Sequence, residues 1–409
     1  MKKMLVIALV LLPLVSFGQK KAQLEYDVNF EYYFSNDEFG LDYQPFMQSG
    51  TYNSARLSPY IGVGFTQNSK VSHRVMAGID VLKNMGEYPV GNNDSHVWNW
   101  DLFQEITLWY DIEAKLDRRT TLKGYVGSFP RRFSAFGRND RTVSDAFLTD
   151  SWRFQDNNVD GFLVNVQRPH AYAELGLDWA GKFGQDRREE LKFFSYGKGD
   201  LTSWFSLGWA FKGHHYSWAL NYGNVVDDIL ASPFVEFNLK GLFRKEPQAF
   251  SVTLNYLHAL QQDRMYGTGM ESYVGGQLGV NLCNWNVGLR NDLYYGMDLM
   301  PYFQRRALEG GIYGERLYHG NPFYRAGYVL RGSLSESAFY DRLEAYYQPH
   351  ISDFLDIRVS LIARFAGGFQ GWQQQISLVF NLDRARNSGS QRGTTIRRRI
   401  LDPRMFDLL

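Results

Sequence analysis

Hydrophobic and polar residues alternate with a period of two along most of this chain. In Ala171–Lys182, Ala173, Leu175, Leu177 and Trp179 fall on one face, and Tyr172, Glu174, Gly176 and Asp178 fall on the other. Val71–Lys83 sets Val71, Val75, Ala77, Ile79 and Val81 against Arg74 and Asp80. Val97–Lys115 sets Leu102, Ile106, Leu108, Tyr110 and Ile112 against Asp101, Glu105 and Asp111. Asn284–Gly296 sets Trp285, Val287, Leu289, Leu293 and Tyr295 against Arg290, Asp292 and Tyr294. Asp356–Phe365 sets Ile357, Val359, Leu361, Ala363 and Phe365 against Asp356, Arg358, Ser360 and Arg364. A soluble sheet can bury one such face. Many staves of this kind in one chain predict a wall with lipid on one side and water on the other.

The remaining strand segments are Gln23–Phe34, Ala55–Thr66, Thr120–Phe129, Asp160–Gln167, Glu190–Tyr196, Phe205–Phe211, Tyr216–Tyr222, Pro233–Leu242, Phe250–Leu260, Tyr273–Leu282, Tyr340–Pro349 and Gly371–Asp383. Short turns are expected at Gln67–Lys70, Leu116–Arg119, Arg168–His170, Lys212–His215 and His350–Asp353. The interval from Ser35 to Asn53 reads as a polar loop. Pro130–Val159 and Met297–Ala338 are the two longest interruptions, and Phe323–Arg331 is read as part of the second. The fold expected is all-β: a closed antiparallel transmembrane β-barrel of about 16 strands, within a range of 14–18. It has long extracellular loops and short periplasmic turns.

Composition agrees with this in an indirect way. The chain is 44% hydrophobic and 16% aromatic, yet its mean hydropathy is −0.36. Lumen residues offset lipid-facing ones in a membrane barrel. After the N-terminus no apolar run reaches the roughly 18 residues a membrane helix needs. Residues 1–18 read as a signal peptide, with Lys2 and Lys3 before the apolar Met4–Val15 and small residues Ser16 and Gly18 at the end. Residues 19–383 then form the barrel. The single cysteine, Cys283, precludes an internal disulfide framework. A net charge of +1 gives no reason to expect nucleic acid. The tail, 384–409, carries seven arginines and reads as a basic periplasmic extension, or as a docking tail for an anionic surface, a periplasmic protein or a membrane partner.

Candidate chemistry concentrates in the lumen and in the first long loop. Arg131, Arg132, Arg138 and Arg141 stand in Pro130–Val159 among several aspartates. A loop folded into a barrel narrows it, and guanidinium groups bind carboxylate or phosphate bidentately. The same loop, left outside, would instead face lipopolysaccharide phosphates. Lumen-facing Glu174, Asp178, Arg290, Asp292, Arg358 and Arg364 extend a mixed-sign set that also holds Lys123, Arg342 and Glu344. Such a set braces the wall by ion pairing or lines a solute path, and its mixed sign predicts weak ion preference. His214 and His215, read as lying in a turn, with Glu174 and Asp178 are the nearest thing to a catalytic group; they carry no recognisable motif. No cofactor or metal signature is found.

Phe129-Pro130-Arg131, Gly161-Phe162-Leu163, Tyr172-Ala173-Glu174 with Asp178-Trp179, and Arg187-Arg188-Glu189-Glu190 leading into Leu191–Tyr196 resemble a group of porin-like outer-membrane β-barrels of Bacteroidota. So does the end of the signal, Ser16-Phe17-Gly18-Gln19. The resemblance covers residues 50–235, with a weaker echo in 340–382. It implies compartment and fold, the outer membrane of a Gram-negative cell with lipid and lipopolysaccharide as neighbours, and no activity. The function expected is porin-like passage or binding of small polar solutes. The alternative is a structural or assembly subunit with a plugged lumen, and a lipid-modifying enzyme is a distant third.

Overall fold

The computed structural model describes residues 22–40, 46–47, 49–85, 105–137, 142–185, 187–221, 223–267, 269–308 and 311–382. The expected signal peptide, the basic tail, Asp101, Arg138 and Arg141 lie outside them.

Seventeen strand segments follow one another: β1 (Gln23–Phe39), β2 (Gly50–Asn68), β3 (Val71–Asn84), β4 (Glu105–Lys115), β5 (Thr121–Pro130), β6 (Asn158–Arg168), β7 (Ala171–Gly181), β8 (Glu190–Asp200) and β9 (Phe205–Tyr216). Then come β10 (Val226–Asn238), β11 (Ala249–Asp263), β12 (Glu271–Asn284), β13 (Val287–Gly296), β14 (Ala338–Tyr347), the short β15 (His350–Ser352), β16 (Leu355–Phe365) and β17 (Phe369–Asn381). Each pairs antiparallel with its neighbours in sequence, and β1 pairs with both β2 and β17. Both β14 and β15 lie against β16, so they form one stave and the ring has sixteen. Closure leaves no edge strand, which is the condition for backbone amides to sit in lipid.

The alternation sets the two surfaces. Ile106 is 73% exposed and Leu175 54%, on the outside, whereas Glu174 and Asp178 are 3% and 2% exposed inside. Trp179, Trp204, Trp285 and Trp372 are exposed toward the ends of their staves, the positions favoured by amphipathic rings at a membrane interface. The β2–β3, β6–β7 and β12–β13 connections are two-residue turns on the side where β1 begins and β17 ends. The connections 131–157 and 297–337 lie on the opposite side.

Two sequence expectations change. Lys212–His215 is not a turn but part of β9, which ends at Tyr216, and the described residues 217–221 form no further strand. Lys212 and His214 are buried lumen residues, and two polar positions in a row of alternation mimic a turn. Both ends of the expected loop from Ser35 to Asn53 are strand, Ser35–Phe39 and Gly50–Asn53, because lumen-facing Ser35 and Asp37 are polar for the same reason. Phe323–Arg331 lies within the second long connection, as expected, and is helical there, as a 3-10 turn Pro322–Arg325 followed by the helix Ala326–Arg331. Losing Tyr216–Tyr222 from the seventeen expected segments leaves the even count of sixteen.

Candidate functional site

The interior is not lined by wall residues alone. Both long connections fold inward and meet. The first, residues 131–157, begins with a 3-10 turn at Arg131–Phe133 and contains the helix Asp150–Gln155, whose N-cap Thr149 accepts a hydrogen bond from the Trp152 amide. Phe136, Val143, Phe147 and Phe154 are buried, which a solvated loop could not achieve.

Glu174 on β7 is the anchor for its first half. Its carboxylate accepts from Ser134 Oγ at 2.7 Å, the Ala135 amide at 2.8 Å and the Phe136 amide at 3.0 Å, and also from the Tyr172 hydroxyl. Arg131 closes the two ends of the loop. It donates to Asp178 Oδ2 at 2.8 Å, to the Asp156 and Asn158 carbonyls at 2.8 and 2.6 Å, and pairs with the Asp156 carboxylate at 2.8 Å. A planar guanidinium with five donors suits this set of acceptors. Arg132 turns the other way, to Asp27 at 3.3 Å and over the Tyr60 and Phe133 rings.

The loop then crosses the barrel. It leaves β5 and returns on β6, yet Asp145 Oδ2 lies 3.5 Å from Arg342 Nε on β14, eight staves from β6 in a ring of sixteen. Phe154 stacks on Tyr33 of β1, and Arg56 of β2 donates to the carbonyls of Phe154 and Gln155 at 2.5 and 2.7 Å. Burial works against the charge of Asp145, but Arg342, then Arg290 and Arg153, hold its carboxyl below the usual range.

Arg342 belongs to a charged ladder on the far wall. Arg290 pairs with Asp292 at 2.7 Å, Arg342 with Glu344 at 2.9 Å, and Arg358 with Glu344 at 2.6 Å while lying over the Tyr346 ring. Arg364 donates to Gln373 at 2.6 Å and to the Tyr340 hydroxyl, and lies over Phe323. The expected site residues thus divide into two groups on opposite walls. Arg131, Glu174 and Asp178 are together; Arg290, Asp292, Arg358 and Arg364 stand across the lumen, with Asp145 bridging toward them.

The second connection, residues 297–337, fills the space beside the first. Tyr318 and Leu299 bond Gln261 of β11, Tyr324 bonds Gln277 of β12 at 3.0 Å, and the Leu317 carbonyl lies 3.1 Å from His214 Nδ1 on β9. The seam between the loops is direct. The Thr149 amide donates to the His319 carbonyl and the Asn321 amide to the Asp145 carbonyl, both at 2.9 Å, and Ser144 Oγ donates to Tyr324 at 3.0 Å. The Trp152 and His319 rings are centred 3.7 Å apart. Gly320 is pressed so close that a Cβ there would lie 1.9 Å from the Ala146 carbonyl oxygen. Burial, reinforced by Lys192, His214 and Lys212, keeps His319 far below its usual pKa and neutral. Asp298, also buried, is pushed up to about 6.

The two loops form a septum. Below it, toward the short turns, a cavity of about 340 Å³ opens between β1 and β5. Ion pairs Arg74–Asp111 and Lys123–Glu113 line it, and Tyr60, Trp109, Tyr125 and Phe133 lie on the septum side. The suggested grouping of His214 and His215 with Glu174 and Asp178 is not formed: His214 faces Glu190 and Leu317, and His215 pairs with Asp227. Sequence reading missed Asp145, Tyr324 and His319 as septum residues. The signal available was the density of apolar residues in Ala146–Phe154 and of tyrosines in Tyr302–Tyr328, both wrong for solvated loops.

No known family matches the chain, and no curated protein does. Solved structures with a similar course include a mutant porin of Rh. blastica, with 12% identity, 88% of this chain and 100% of that chain covered, and a TM-score of 0.43. A loop-deleted form of OmpT, an outer membrane protein of Vibrio cholerae, has 7% identity, 88% and 99% coverage, and a TM-score of 0.49. OccAB3 of Acinetobacter baumannii has 11% identity, 88% and 99% coverage, and a TM-score of 0.42. At these scores the likeness carries no weight for function, and the fold assignment rests on the strand pairing.

Proposed function

We propose that this barrel sits in the outer membrane of a Gram-negative cell and passes or binds small polar solutes, with the 131–157 loop as its constriction. The observation that carries this reading is the reach of that loop from β5 across the lumen to Arg342. It resembles no wall brace that a closed barrel needs, since sixteen paired staves are already self-sufficient. The polar groups along it, with both signs present, suit uncharged or zwitterionic solutes better than a strongly charged ion. In this reading Arg131, Glu174 and Asp178 hold the constriction in place, and Arg290, Asp292, Arg358 and Arg364 line the wall opposite. Arg132 lies toward the cavity below. The chemistry is passage or binding, not catalysis. The plugged assembly subunit draws on the same septum and gains no separate support.

Planar-bilayer recording tests it. Folded protein is expected to conduct in small steps with weak ion selectivity, and Arg131→Ala with Arg132→Ala to move the reversal potential. Folded protein that never conducts would remove the passage reading. Deletion of residues 384–409 is expected to leave the barrel folded and to release any co-purifying partner, which a heat-modifiability gel and affinity purification would show.

A further inference from the structure

The turns on the terminal side of the barrel are short except one. The β10–β11 connection runs for ten residues, Leu239–Gln248, and departs in composition from a solvated turn. Leu242 is 74% exposed and Phe243 47%. Lys240, Arg244 and Lys245 surround them against one acid, Glu246.

The turn has a built shape. The amides of Leu242 and Phe243 donate to the Leu239 and Lys240 carbonyls, both at 3.1 Å, and Leu239 bonds Phe250 across the base at 2.8 Å. The Phe243 ring then packs edge-on against Phe250, with centroids 5.5 Å apart. Phe250 faces outward on β11, so the turn leans to the lipid side. Beside it, Phe237 of β10 contacts Phe205 and Trp204 at 5.3 and 6.2 Å. This aromatic patch continues straight into the apolar belt, where Val235 pairs with Leu207 on one side and Leu254 on the other.

We propose that Leu239–Gln248 is a lipid-docking foot: Leu242 and Phe243 enter the interfacial zone of the terminal-side leaflet, and Lys240, Arg244 and Lys245 hold the phosphates of anionic phospholipids. Continuity with the lipid-facing belt selects a bilayer over a protein as the occupant. The basic cluster beside it stands where headgroups lie, and juxtamembrane Lys and Arg gain from anionic lipid. The foot acts whether or not the lumen conducts.

The test uses the full barrel with Cys283→Ser, labelled with an environment-sensitive fluorophore at Leu242→Cys or, as a reference, at Arg118→Cys in the β4–β5 turn. In vesicles of phosphatidylcholine with phosphatidylglycerol, the label at 242 is expected to be shielded from iodide and quenched by spin-labelled lipid, with the reference open to iodide. Charge reversal at Lys240, Arg244 and Lys245, checked for folding by heat-modifiable migration, is expected to cut retention of phosphatidylglycerol in native mass spectrometry by roughly five-fold per residue. Equal iodide access at 242 and 118 would overturn the foot. So would lipid retention indifferent to the three charges, or shielding that arises only on adding a periplasmic protein fraction.

Discussion

Glu174 satisfies four donors with one carboxylate, and that explains its position in the lumen better than solute contact does. Glu174→Gln presents an amide nitrogen to donors that need an acceptor, and leaving one buried donor unmet costs roughly 1–3 kcal/mol. The expected result is a loop 131–157 that is cut faster in limited proteolysis, with the barrel itself intact on a heat-modifiability gel. Asp298 makes a prediction in pH. Its native pKa, raised to about 6 mainly by burial, exceeds the ordinary 3.8, so the native state binds the proton more tightly. Its stabilising effect is full below pH 3.8 and is lost as pH rises through 6, a swing on the order of 3 kcal/mol. His319 has the opposite sign: burial lowers its native pKa, so its contribution to the closed state is full above its unfolded value near 6.5 and is lost as pH falls below it. The two are separated by Asp298→Asn: hydrogen exchange in 297–337 is expected to match wild type near pH 4 and to be slower than wild type at pH 7.

At the level of elements, staves such as β7, β13 and β16 were legible because each alternates without interruption and each has a charge on its wet face. The second half of β9 and the outer end of β1 were not, since Lys212, His214, Ser35 and Asp37 are polar for the sake of the lumen and imitate loop residues. Periodicity reports a face, and it is silent on what that face meets. For that reason Arg131, Glu174 and Asp178 could be named from the sequence while their partners in 131–137 could not. The pairing between the two long loops was wholly hidden, because contacts separated by well over a hundred residues leave no local pattern. Gly320 is where that pairing is tightest. Gly320→Val is expected to part the seam between Thr149–Trp152 and His319–Asn321, raising exchange at both loops together, whereas independent loops would respond only at 320.

The whole molecule is a closed wall with a removable centre. Sixteen staves hold themselves through backbone pairing, and the septum hangs from them by Glu174, Arg131, Arg56, Gln261 and Arg342. Weakening those attachments is expected to change what crosses the barrel and leave the barrel itself in place. Asp145 is the most informative point, because it joins the loop to the opposite wall, while Arg342 keeps Glu344 and Asp292 as partners when Asp145 is gone. The decisive measurement is single-channel conductance in a planar bilayer of wild type beside Asp145→Ala. Wild type is expected to show small steps and Asp145→Ala distinctly larger ones with faster fluctuation. Identical conductance in the two folded proteins, or none in either, would contradict a septum that controls the path.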